Sequence, residues 1–63
     1  MERKEFEKQW EARGVEVYHR VELVGGGIIR ADLFVYWHRR NIDLFSDDNY
    51  VACIPLKSIK EVH

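Results

Sequence analysis

One cysteine and one proline stand among the 63 residues. A single thiol, Cys53, cannot form an intramolecular disulfide, and that usage fits a reducing compartment. No apolar run approaches the roughly 18 residues of a membrane span. The charged opening Met1–Lys8 lacks the apolar stretch of a secretory signal, so a cytoplasmic location off the membrane is expected. An excess of one charge is missing too: ten Lys and Arg face eleven Asp and Glu, for a net charge of −1. Nucleic-acid binders are often strongly basic, with a pI above about 9. The pI here is about 6.3, so any such contact has to come from a local arrangement of cations. A chain near 60 residues is too short for a two-domain enzyme with a deep cleft, and it buries only about 60% of its unfolded surface. Domains of this size usually need a disulfide, a metal or a partner subunit. With no disulfide and no evident metal site, oligomerisation is the expected support.

Residues 2–13 are rich in Glu, Lys and Arg, all good helix formers. Phe6 and Trp10 are four apart and share a face. That stripe is narrow, so the helix is expected to lie on a larger body by its two aromatics, with Gly14 as its C-cap. From Val15 the chemistry turns to that of strands. Val15, Val17, Val21 and Leu23 alternate with Glu16, Tyr18, Arg20 and Glu22. Gly25-Gly26-Gly27 reads as a hairpin turn; the other reading, a phosphate-cradling loop, needs a following helix. Ile28–Trp37 alternates again, with Ile29, Ala31, Leu33, Val35 and Trp37 on one face. His38-Arg39-Arg40 is a polar tip. Asn41–Phe45, Tyr50–Ile54 and Ile59–Val62 read as three more strands, parted by the Ser46–Asn49 turn and by Pro55 with Leu56-Lys57-Ser58. The expected fold is mostly β: a helix over 2–13, then a five-stranded, strongly bent antiparallel small barrel over 15–63, in one domain.

Chemistry has few candidates. His19, His38, His63 and Cys53 lack the close spacing of a zinc site. Asp43, Asp47, Asp48 and Asn49 lack the glycine and closing glutamate of a calcium loop. Cys53 falls between apolar neighbours in a strand, where thiols are usually buried and inert. No catalytic dyad, metal site or cofactor site is expected, and the chain does not read as an enzyme. The most informative polar cluster is Arg39-Arg40-Asn41. Arginine planes stack on bases and an Asn amide pairs with a base edge.

Residues 21–44, VELVGGGIIRADLFVYWHRRNIDL, resemble the first motif of Sm-like proteins, the family that includes the bacterial Hfq branch. Gly26, Ile29, Ala31, Leu33 and Asn41 stand at the motif's offsets, with Ala31 in place of its second glycine. Residues 54–59, IPLKSI, resemble the second motif in length and flanking Ile pair. Trp37 stands where the family usually carries an acidic residue, Arg39 at the base-stacking position, and Pro55-Leu56 where the Sm branch carries Arg-Gly. The resemblance implies the small barrel. It also implies a homo-oligomeric ring of about five to seven subunits, closed head to tail by the fourth strand of one copy and the fifth of the next. Its implied ligand is single-stranded RNA at a central pore, U-rich by family habit. Arg39 then stacks, Asn41 hydrogen-bonds and Lys57 supplies charge. The competing reading is a small SH3-like barrel that docks other proteins and binds no nucleic acid, with Trp10, Tyr18 and the Asp47-Asp48 turn as contacts.

Overall fold

The computed structural model describes residues 1–15 and 17–63. Helix α1 runs Arg3–Arg13, and only Phe6 and Trp10 on it are buried. It ends at Gly14, whose φ of 126° is backbone that glycine alone enters readily. The Gly14 N–H donates to the Glu11 carbonyl at 3.1 Å. Six strands follow: β1 (His19–Leu23), β2 (Ile28–Ala31), β3 (Leu33–Trp37), β4 (Asn41–Ser46), β5 (Asn49–Pro55) and β6 (Ile59–Val62). They form two antiparallel three-stranded sheets, ordered β2-β1-β6 and β3-β4-β5.

The helix followed by a mostly β body matches the sequence reading, but there are six strands where a five-stranded, strongly bent barrel was expected. Among the described residues no ladder joins the two sheets, and the expected second strand is two. Asp32 divides it. Its N–H donates to the Phe45 carbonyl at 2.9 Å, and its carboxylate accepts from the Asp47 N–H at 3.2 Å. An aspartate that bonds backbone in this way competes with a regular ladder. The facing of the side chains flips there. Ala31 is buried before the break, and Phe34 and Tyr36 pack against the core after it. Leu33, Val35 and Trp37, expected on the inner face, are 52%, 50% and 53% exposed.

The first strand starts at His19 rather than Val15. Val15 and Val17 are exposed, and Glu16 lies outside the described residues. Side chains, not a ladder, fasten this approach: Arg13 Nε donates to the Tyr18 carbonyl at 2.8 Å, and the Tyr18 hydroxyl donates to the Asp47 carboxylate. His19 itself is fully buried, stacked on Trp10 at 3.7 Å. Its Nε2 donates to the Trp10 carbonyl at 2.9 Å, since a carbonyl can only accept.

The hairpin turns fall where expected. Gly26, at φ 100°, closes the β1–β2 turn, and its N–H donates to the Leu23 carbonyl at 2.9 Å. Asp47 and Asp48 take φ of 52° and 66°, the paired positive values of a two-residue type I′ hairpin. A bulge near Phe45 leaves Val51 without a register partner. The core lies between the sheets around Val21, Ile42, Leu44 and Ile59, and Phe6 and Trp10 cover it. The Phe34 ring meets both aromatics edge-on, at 4.9 and 4.8 Å. Gln9 Oε1 accepts from the Val62 N–H at 2.8 Å, tying α1 to β6. Cys53, expected to be buried, is exposed on β5 opposite Asp43. No helix among the described residues is long and apolar enough to cross a membrane.

Candidate nucleic-acid interface

Three separated stretches of chain meet at one end of the molecule. The first is the tip between β3 and β4. Trp37 pairs with Asn41 at the mouth of that hairpin, and His38 turns it with a φ of 61°. The second is the end of β5 and the 3-10 turn Leu56–Ser58. Asn41 pairs with Pro55 in register, and the Leu56 N–H donates to the Arg40 carbonyl at 2.6 Å. Proline cannot continue a ladder. The chain therefore turns at once, and Ser58 Oγ donates back to the Pro55 carbonyl at 2.7 Å. The third is the start of α1. Arg3 Nη2 donates to the His38 carbonyl at 2.8 Å, and its guanidinium sits 4.1 Å over the Tyr36 ring.

Between these three lies an open cavity of about 480 Å³. Arg39, Asn41 and Lys57, the three residues singled out from the sequence, all line it. Pro55 and Leu56 add apolar wall. Arg3 and Arg40 raise the cationic side chains to four, against one carboxylate, Glu2. A chain of net charge −1 thus carries a local basic hollow. Its chemistry suits a nucleotide: cations for phosphate, an amide for a base edge, and apolar wall with guanidinium planes for a base face. Arg39, Arg40 and Asn41 also line a shallower hollow with His38. The exposed Trp37 stands beside the tip, its ring 4.8 Å from that of His38.

Arg3 was not legible as a site residue, because only the docking of α1 brings it to the tip. Arg40 was visible beside Arg39 but had no assigned role. The other sequence candidates do not converge. His19 is buried under Trp10, His38 is at the tip, and Cys53 is on β5. Asp47 accepts from Tyr18, and Asn49 Nδ2 donates to the Asp47 carbonyl at 3.2 Å, so the acidic turn bonds within the protein. The Cys53 thiol has its pKa raised, first by a hydrogen bond to the Asp43 side chain and then by desolvation.

Comparison of the chain with known protein families, with curated proteins and with solved structures finds no match.

Proposed function

We propose that this chain is a ring-forming, Sm-like RNA-binding protein, each copy offering the Arg39–Asn41–Lys57 hollow to one nucleotide of a single strand. The observation that carries this reading is the meeting of those three residues in a single basic cavity. Repeating the hollow around a ring multiplies a local cationic spot, which offsets the neutral overall charge. The sheet edges support assembly: β5 and β6, like β2 and β3, have no second ladder partner among the described residues. Free edges tend to pair with another chain.

Fluorescence anisotropy with short oligo-U and oligo-A at two salt concentrations tests the RNA step. Stacking contributes about 1–3 kcal/mol per base, and each phosphate contact on a single strand adds about −0.7 to the salt slope. Arg39→Ala weakens binding at all salts and flattens the slope, because it removes both terms. Asn41→Ala leaves the slope alone and relaxes base preference, since an amide carries no charge. Lys57→Ala reduces the slope with little change in preference. If neither oligomer binds below about 100 µM at low salt, a merely non-specific level, the RNA reading fails. The protein-docking reading then takes its place, and one observation favours it: Leu33, Val35 and Trp37 present an apolar row to solvent on β3.

A further inference from the structure

We propose that Glu22, Glu61 and His63, brought together on the outer face of β1 and β6, form a divalent-cation site whose donor set suits Zn²⁺. The site lies apart from the basic hollow and does not depend on the RNA reading.

Glu22 and Glu61 are direct partners across the β1–β6 ladder. Like charges directly opposite one another destabilise a strand pair, and a divalent ion between them would relieve this more fully than the neighbouring Lys60 and His63 do. His63 lies two residues beyond Glu61 and therefore on the same face. Its backbone is not a loose tail. The Arg20 N–H donates to the His63 carbonyl at 2.7 Å, and the His63 N–H donates to the Arg20 carbonyl at 2.9 Å. The imidazole Nε2 stands 3.3 Å from Glu22 Oε2 and 3.0 Å from Glu61 Oε2. Ligands held at about 2.0–2.1 Å around a tetrahedral Zn²⁺ lie about 3.3–3.4 Å from one another. The three donor atoms fall within 4.8 Å of each other, so small side-chain rotations complete the triangle.

The surroundings also fit a metal. Lys60 Nζ sits 3.5 Å from Glu22 Oε1, the oxygen turned away from His63. It can orient the carboxylate and keep Oε2 toward His63, as outer partners of metal ligands do. Solvent reaches all three groups, whose side chains are 31%, 52% and 46% exposed for Glu22, Glu61 and His63. One nitrogen and two carboxylate oxygens make a borderline set that leaves a fourth position for water. The sequence shows only Glu61-x-His63, a spacing without meaning until Glu22 arrives from β1. The bound cation would fasten β6 to β1.

Calorimetric titration of Zn²⁺ into the full chain, in a buffer that does not chelate, is the test. The expected result is one site per chain. His63→Ala and, separately, Glu61→Gln should each weaken it about tenfold or more, while Cys53→Ser changes nothing. Far-UV circular dichroism confirms that each variant is folded, and both side chains are exposed enough to be replaced without opening the core. Zn²⁺ should also raise the Tm of the wild type, and raise that of His63→Ala clearly less at the same concentration. No binding up to about 100 µM Zn²⁺, weaker than any specific structural site, overturns the proposal. So does full affinity in His63→Ala, or loss of binding in Cys53→Ser.

Discussion

The thiol of Cys53 stands in solvent, and the Asp43 side chain across the ladder, first through its hydrogen bond, pushes the thiol pKa up. Thiolate, not thiol, is the nucleophile, so exposure alone does not make this cysteine reactive. Alkylation near pH 8 should be slow for an accessible thiol. Asp43→Asn takes away the carboxylate that the thiol hydrogen-bonds, and its charge with it, and should speed the reaction. An unchanged rate in that variant, read by mass spectrometry against time, contradicts the role given to Asp43. From the sequence, Cys53 is expected to be unreactive because it is buried, and the thiol is exposed. Alternation cannot tell which side of β5 faces the core when Val51, Cys53 and their neighbours are all apolar or small. The same ambiguity hid the facing of Leu33, Val35 and Trp37, because Phe34 and Tyr36 between them are apolar as well. The cluster of Arg39 and Asn41 could be read from the polar tip, and Lys57 from the resemblance at residues 54–59; that all three line one cavity depends on how the tip and the end of β5 meet.

At the scale of elements, α1 holds the two sheets together from outside. Phe6 is fully buried and meets both Trp10 and Phe34, at 5.6 and 4.9 Å. Truncating a buried Phe costs about 3–5 kcal/mol. Stability of about 0.05–0.15 kcal/mol per residue leaves a domain this size only about 3–9 kcal/mol. Phe6→Ala should therefore leave much of the population unfolded, seen as loss of the urea unfolding transition by circular dichroism. A variant with an unchanged midpoint would show that α1 is an ornament and not part of the core. The helix and its Gly14 stop were readable because propensity, the four-residue aromatic spacing and the cap agree. The break at Asp32 was not. It depends on bonds to Phe45 and Asp47, more than a dozen residues away. Where β1 begins was hidden for a similar reason, because His19 is buried by Trp10, an aromatic from a different element.

At the scale of the whole molecule, the two sheets leave β5 and β6 each with one unpaired edge among the described residues. The resemblance to Sm-like proteins, not the ladder itself, supplies the idea that these edges meet between copies. Gln9 bears on it directly, since its side chain accepts from the Val62 N–H. If β6 receives a neighbour, Gln9 competes for that donor, and Gln9→Ala should tighten assembly at equal protein concentration. Weaker assembly in light scattering would instead make Gln9 part of the contact. Charge is uneven as well: a basic hollow at one end of the molecule contrasts with an apolar β3 row. Both surfaces face outward in the single copy, and the proposed ring would decide which of them stays open. Native mass spectrometry of the chain at micromolar concentration with a short U-rich oligomer reads assembly and occupancy in one spectrum. The expected result is a closed species of about five to seven copies carrying one strand. A folded monomer free of RNA at tens of micromolar, the range of weak non-specific binding, would contradict it.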